Sequence, residues 1–430
     1  MQYPIQQPWS IRKKIVFRFF FIYFTLMIAP WSWLGFIPGF DLLMGYYYQA
    51  DSWLVNLAND YIFNIRPVLV PLNGSGDTSY AYTQLCLYLS LSAMGCLIWM
   101  IADKRASHNQ LDYWFRTFVR YYVAMVAMIY GSIKLFALQM PFPGLSQLAT
   151  PLGDLLPMRF SWMFLGYSTP YQFFAGAMEV VVCVLLLNRR TVTTGLLMGA
   201  AVFTQVLIMN LCFDIPVKLY SLHLLLYCLF LLFYDAPRLF QLFILNKSVA
   251  PTNLYEISFS NRWMRYTRIS LKILFIVLYA IMPIYESYSR YEAINSTPTP
   301  KPFFGVYQVD SFVLNGDTLP DVPSDTLRWR EIIFDKGGSG SVNAQDTLFR
   351  QRYRRGYFNY TADTVNQTIG LKKFQTDTTL LCTLAYKISG ESIQLKTKWK
   401  NDSLRVTMHK TNRHFQLAER QFHWLSEYNR

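Results

Sequence analysis

The sequence predicts an α-helical polytopic membrane bundle of about seven transmembrane helices, followed by a C-terminal antiparallel all-β domain, either a small barrel or a sandwich. Three observations carry that expectation. Hydrophobic residues make up 53% of the 430-residue chain and charged residues only 15%, where an ordinary soluble domain uses about 25% charged residues. Apolar runs long enough to cross a hydrocarbon core, which takes roughly 20 helical residues, recur through the first two-thirds of the chain. From residue 304 onward the pattern becomes polar and alternates with period two. These figures exclude a disordered chain, a collagen-like repeat and a disulfide-rich scaffold.

The expected spans are 15–34, 82–101, 118–138, 171–187, 192–213, 219–234 and 269–285. The first follows Arg12, Lys13 and Lys14. Its apolar run is too long for a secretory signal, and Pro30, Trp31 and Trp33 stand where a cleavage site would need small residues. Basic residues then set the expected orientation. Lys104, Arg105, Arg116 and Arg120 separate spans two and three, Arg189 and Arg190 separate four and five, and Lys247, Arg262, Arg265 and Arg268 precede seven. An even number of crossings lies between any two of these groups. All face the cytoplasm if the N-terminus does, and seven crossings then put the C-terminal domain outside. The formal net charge of +14 thus reflects span ends, and nucleic acid is not an expected partner. The expected setting is a cell (inner) membrane, with the β domain periplasmic in a Gram-negative cell.

Residues 40–64 mix Tyr46, Tyr47, Tyr48 and Trp53 with Asp51, Asn56, Asn59 and Asp60, which suits an interfacial amphipathic helix better than an eighth span. Residues 140–170 hold five prolines and read as a structured outer loop. Residues 237–245 read as a short helix on the membrane surface. The chain therefore divides into a membrane domain at 1–290, a linker at 291–303 and an extracytoplasmic domain at 304–430.

In that last domain, Ile393, Leu395 and Trp399 alternate with polar residues, and so do Leu404, Val406 and Met408 after the turn at Lys400, Asn401 and Asp402. Leu380, Cys382, Leu384 and Tyr386 form another such face. Earlier strands are expected at 305–314, 327–334, 348–353, 357–361 and 368–374. About eight antiparallel strands suit a sandwich or an up-and-down barrel resembling the lipocalins. No helix follows Gly337-Gly338-Ser339-Gly340, so this stretch is expected to be a flexible turn and not a phosphate loop.

Metal ligation is not expected: His409, His414 and His423 lack ligand spacing. The six cysteines contain no Cys-x-x-Cys pair; Cys212 and Cys382 can meet in principle, and a free, buried thiol is expected at each.

Ionisable groups inside spans are costly and mark candidate sites. Here they are Lys134, Glu179 and His223, accompanied by Asn210, Asp214 and Lys218 at the turn between spans five and six. At 1.5 Å per residue, Lys134 and His223 lie about 6 Å below the outer end of their spans and Glu179 about 12 Å below. The six are expected to converge on an outward-facing polar site. Gly131, on the face of Lys134, and Gly176, three residues before Glu179, permit close helix approach. The same residues also have structural readings: a Lys134–Glu179 tie between helices, a snorkelling Lys218 beside Asp214, and a His223 bonded across helices.

Residues 116–235 resemble the DoxX-like family of membrane proteins. The features that carry the likeness are Arg120, Tyr130-Gly131-Ser132-Ile133-Lys134, the Gly176-to-Glu179 element, the basic turn Asn188-Arg189-Arg190, and Gly195. Longer proteins of this kind also carry stretches like Gly74-Ser75-Gly76-Asp77-Thr78 and Phe213-Asp214-Ile215-Pro216-Val217-Lys218. The resemblance implies a helical bundle and, for some members, association with quinone-linked sulfur oxidation. There is no haem, flavin or iron–sulfur motif. A more distant similarity is to membrane proteins of the vitamin K-dependent carboxylase type, although no carboxylase motif is present.

Three functions remain open from sequence. One is a redox-associated subunit binding a quinone or lipid-like molecule, with Lys134 and His223 donating to carbonyl oxygens and Glu179 exchanging a proton. Another is a non-catalytic envelope assembly or scaffold protein whose domain at 304–430 binds an extracytoplasmic protein. The third is a proton-coupled transporter.

Overall fold

The computed structural model describes residues 8–250, 261–296, 303–322, 325–399, 402–420, 422–425 and 427. They fall into two compact units. One comprises residues up to 135 together with 174–285, and the other comprises 136–173 together with 286 onward.

The first unit is helical. Helix α1 (Ile11–Ile28) begins at Ser10, whose side chain accepts from the Lys13 amide, and ends before Pro30, a residue that disfavours helix in its predecessor. A 3-10 turn, Pro30–Phe36, completes the first expected span. Helix α2 (Phe40–Ala58) occupies the segment expected to be amphipathic. Then come α3 (Ser79–Ala102), capped by Thr78, and α4 (Asn109–Leu135).

The connection that follows carries α5 (Leu145–Leu148) and α6 (Pro157–Tyr167). Next are α7 (Thr169–Leu187), α8 (Val192–Cys212) and α9 (Lys218–Phe233). Helix α10 (Ala236–Phe243) turns 81° from α9, as suits a helix expected to lie along a surface. Helix α11 (Arg262–Ile276) runs through a π turn at Val277–Ile281 into α12 (Met282–Ser296).

Among the described residues, five helices are long and apolar enough to cross a membrane: α3, α4, α7, α8 and the 35-residue Arg262–Ser296. The bent pair α9 and α10 makes six if counted as one span. Helix α1 has 18 residues and carries Arg12, Lys13, Lys14 and Arg18. Helix α4 lies at the centre of the bundle, with 56% of its apolar window buried against 6% for Arg262–Ser296. Phe115, Val119 and Val123, four residues apart, form its core stripe. Aromatic edges interlock beside it, with the Phe24 ring 4.6 Å from Tyr227 and 5.3 Å from Phe230.

The second unit contains a closed antiparallel barrel. Its strands are β1 (Gly305–Leu314), β2 (Asp317–Thr318), β3 (Glu331–Phe334), β4 (Ser339–Val342), β5 (Arg350–Arg352), β6 (Arg355–Asp363), β7 (Thr368–Lys372), β8 (Cys382–Ser389), β9 (Ser392–Trp399) and β10 (Asp402–Lys410). The eight-stranded ring runs β1-β3-β4-β6-β7-β8-β9-β10 and closes by pairing β10 with β1. Closure leaves no long unpaired edge. Of the two expected architectures, the domain is the barrel. Eight strands enclose an interior that side chains can fill, here with Phe303, Phe334, Tyr360, Tyr386, Ile393, Val406 and Met408 among others. A bulge between Val309 and Ser311 lets Val309 and Phe312 both point inward.

One expectation requires correction. Gly337-Gly338-Ser339-Gly340 is only half turn. Gly337 and Gly338 reverse the chain with φ of 69° and 73°, whereas Ser339 and Gly340 open β4. A side chain at Gly340 would stand 2.5 Å from the Ile333 carbonyl oxygen and 2.6 Å from the Phe358 ring. Glycine is required there because Phe358 lies across it. The strands expected at 327–334 and 348–353 shorten to β3 and β5, and among the described residues β5 pairs with β6 alone.

Residues 136–173 pack on the outer wall of this barrel. Leu145 and Ala149 cover Val306 and Ile333. The Asp335 carboxylate accepts from the Leu145 amide at 2.6 Å, the Ser146 amide at 3.1 Å and the Ser146 hydroxyl. A polar relay continues through Ser341, which donates to Ser146 at 2.8 Å, and Arg355, whose Nε donates to Ser341 at 3.0 Å. Arg355 Nη1 reaches Glu331 at 2.8 Å, and Arg413 takes the other Glu331 oxygen at 2.9 Å.

Candidate functional site

Helices α4 and α7 cross in backbone contact. A side chain at Gly131 would meet the Gly176 carbonyl oxygen at 3.0 Å, and one at Gly176 would meet both the Gly131 oxygen and the Leu135 nitrogen at 2.7 Å. That approach delivers Lys134, one turn on from Tyr130, to Glu179. Lys134 Nζ donates to Glu179 Oε1, and the two residues are 8% and 2% exposed. Among the described residues, Glu179 Oε2 is buried with no hydrogen-bond partner. An ammonium offers three donors, and among the described residues only one is engaged here. The pair therefore keeps spare donors and an idle acceptor in a buried setting.

Aromatic residues lead away from it. The Tyr130 ring lies 6.0 Å from Lys134 Nζ and 6.1 Å from the Tyr220 ring. Tyr220 lies beside Tyr122, whose ring is 5.5 Å from Tyr227, itself 6.2 Å from His223. His223 Nδ1 stands 2.6 Å from the Leu219 carbonyl oxygen, which only accepts, so Nδ1 carries a proton. In the neutral ring Nε2 then accepts from the Tyr23 hydroxyl at 2.7 Å. His223 thus belongs to the same tyrosine line as the ion pair.

The other three expected site residues have local partners around the α8–α9 turn. Asn210 donates to Ser221 at 2.9 Å and is buried. Lys218 Nζ donates to Asp214 at 2.8 Å, and the Asp214 side chain is 81% exposed. The buried carboxylate of this group is Asp77, 3.8 Å from Lys218 Nζ. Asp77 also accepts from the Lys218 and Leu219 amides at 2.7 and 3.0 Å, capping α9 from another part of the chain. The Gly76 amide meanwhile donates to the Pro216 carbonyl.

Asp51 and Arg18 are among the buried ionisable residues that the sequence reading assigned to no site. Asp51 is held by Tyr80 at 2.9 Å, Gln84 at 2.7 Å and Tyr88 at 2.6 Å, and these donors recur every four residues along α3. That spacing was the available signal. Arg18, four residues beyond Lys14, is 2% exposed and donates to the Asp103 carbonyl and to His108 Nε2.

Cys212 and Cys382 are free thiols, but Cys212 is exposed where a buried thiol was expected, and Cys382 is partly buried. His409 and His414 face Asp310 and Glu419 at 2.7 and 3.0 Å, and no group of three or more His, Cys, Asp or Glu with metal-binding geometry occurs among the described residues.

The comparisons with known proteins are sparse. No family model matches the chain, and no solved structure does. An 83-residue stretch, 19% of the chain, is 36% identical to "Uncharacterized protein YwoB" of Bacillus subtilis (strain 168). The match spans about half of that relative, 54% of its length.

Proposed function

We propose that this protein is a DoxX-like, redox-associated subunit of a cell membrane that binds a quinone or similar lipid-like molecule at the Lys134–Glu179 pair. In this reading the N-terminus is cytoplasmic and the barrel extracytoplasmic, periplasmic in a Gram-negative cell. The observation that carries it is the spare hydrogen-bonding capacity of the buried pair: idle Lys134 N–H bonds beside an unpartnered Glu179 Oε2. A structural tie gains by saturating such groups, since each unmade buried bond costs about 1–3 kcal/mol. A carbonyl oxygen would accept from Lys134. The hydroxyl of the reduced ligand would donate to Glu179 Oε2, and the carboxylate could take its proton. Tyr130 and Tyr220 supply flat apolar walls.

The test is organic extraction of protein purified from membranes. Quinone should accompany the wild type and be lost from Glu179→Gln and Lys134→Met, with the folded state of each variant checked by its thermal transition. Folded variants that retain it, or a wild type that carries none and takes up none when supplied, would reject the reading.

The docked outer connection favours a second reading, a scaffold whose barrel presents a surface to an extracytoplasmic partner. Asp335 and the relay behind it make 136–173 part of the barrel's wall, which suits a platform. Crosslinking a partner to the barrel, with Glu179→Gln fully functional in cells, would support that alternative.

A further inference from the structure

Helix α6, in the barrel unit, keeps one face uncovered. Its packed side is fixed by Ser161, which is 1% exposed, and by Gly166, where a side chain would stand 2.6 Å from the Pro141 carbonyl oxygen. The other side carries Leu156, Phe160 and Phe164, spaced by four residues and all exposed, Phe164 to 70%. Ser168 alone separates α6 from α7, which is long and apolar enough to cross a membrane. One residue reaches about 3.5 Å, so the stripe is tethered closely to the head of that helix.

Cations edge the stripe. Arg159 precedes Phe160 and lies about 100° round the helix from it. Its Nε donates to the Tyr353 hydroxyl at 3.0 Å, and its guanidinium lies 5.8 Å from both the Trp162 and Tyr353 rings. Tyr353 and Arg354, with φ of 52° and 57°, make the two-residue turn between β5 and β6. On β5, Arg352 has Arg350 and Arg159 within electrostatic range, and the Arg350 guanidinium lies 5.1 Å from the exposed Phe374 ring. Arg354 is paired with Asp154 at 3.1 Å. Among the described residues, Arg159, Arg350 and Arg352 have no carboxylate within 4.0 Å.

An exposed apolar stripe marks an interaction surface, and three like charges held together favour an anion beside it. Apolar residues on one side of a helix with arginines at the edge match a lipid interface, where acyl chains take the first and phosphates the second. We propose that the barrel unit docks on an anionic phospholipid surface, with Leu156, Phe160 and Phe164 among acyl chains and Arg159, Arg350 and Arg352 at head-group phosphates. The short tether to α7 and the fit of guanidinium N–H donors to phosphate oxygens favour lipid over a protein partner. This surface is independent of the Lys134–Glu179 pair.

The test places p-benzoylphenylalanine at Phe164 of the full chain in nanodiscs of mixed phosphatidylcholine and phosphatidylglycerol, and identifies adducts by mass spectrometry after illumination. Lipid adducts should form, with phosphatidylglycerol enriched over the supplied mixture. Arg352→Gln and Arg350→Gln should each lower that enrichment about fivefold, the worth of one basic residue at a membrane surface. Arg352 is exposed, so its variant reads the charge even if another folds poorly. Arg405→Gln removes the same charge from an exposed position on β10, four strands round the ring from β6, and should leave the enrichment unchanged. The same probe at Val365, exposed at the opposite end of β6 from the Tyr353 turn, should yield little lipid adduct. Protein adducts in place of lipid, to a second copy or to another chain, or equal lipid yields at the two probe positions, would overturn the docking. Lipid adducts without phosphatidylglycerol enrichment, or an equal loss in Arg405→Gln, would overturn the arginine–phosphate contact.

Discussion

The bundle and the barrel both bury charge, but they satisfy it differently. On the barrel wall, both Glu331 oxygens are taken by arginines and both Asp335 oxygens by the α5 turn. Ser341 and Ser146 join those two carboxylates into one relay. In the bundle, Lys134 and Glu179 form an isolated pair with one carboxylate oxygen idle. Where both carboxylate oxygens are taken, the acid holds pieces of chain together and has none to spare for a ligand, although Arg355 Nη2 on the barrel wall is itself buried without a partner among the described residues. An unsaturated pair keeps donors and acceptors available, and the glycine contact beneath it keeps them in place. This contrast is why the candidate chemistry is assigned to the bundle and an anchoring role to the barrel's relay.

Substitutions can break each side of the comparison. The largest effect is expected from Gly176→Leu, because the new side chain meets Gly131 and Leu135 backbone that cannot swing aside. Overpacking of this kind costs about 3 kcal/mol or more, and the bundle's thermal transition should fall steeply or folded protein be lost. An unchanged transition would mean that α4 and α7 do not touch there. Glu331→Ala comes next. It strips buried Arg355 of its counter-charge, at a cost of about 3 kcal/mol, and should lower the barrel's unfolding transition while sparing the bundle's. Asp335→Ala removes a helix cap worth about 1 kcal/mol. Trypsin should then cut at Arg159 several-fold faster than in the wild type, and equal rates would show that the capping contact does not secure 136–173.

Much of this architecture could be read in advance, and the misses have physical causes. Spans were visible because a hydrocarbon core demands about 20 apolar residues in a row. Most strands were visible because β7 to β10 alternate faces, with Leu384, Tyr386, Ile393, Leu395, Leu404 and Val406 all inward. Strand β4 was missed because its inward position is Gly340, chosen to fit under Phe358, and its outward Ser341 belongs to the relay. Neither residue advertises a strand. Lys134 and Glu179 announced themselves as charges in apolar runs beside glycines. Asp51 did not, because its three donors sit on a later helix and Tyr and Gln carry no charge. Asp77 lay within a stretch singled out from sequence, but its role as a remote cap depends on how two loops meet.

The smallest expected effect concerns reactivity. Burial pushes the Cys382 thiol up to about 12, so hardly any thiolate exists near neutral pH. Iodoacetamide at pH 8 should leave Cys382 unmodified until the barrel is unfolded by denaturant. Rapid labelling of the folded protein would show that β8 opens readily.

The most direct measurement of the central claim is a binding titration of a soluble short-chain quinone into purified protein, followed by quenching of intrinsic fluorescence. Wild-type protein should saturate, and folded Glu179→Gln should bind the reduced form at least about tenfold more weakly, the value of one lost charged hydrogen bond. Equal affinity in the two proteins, or no saturable binding by the wild type, would contradict a ligand role for the Lys134–Glu179 pair.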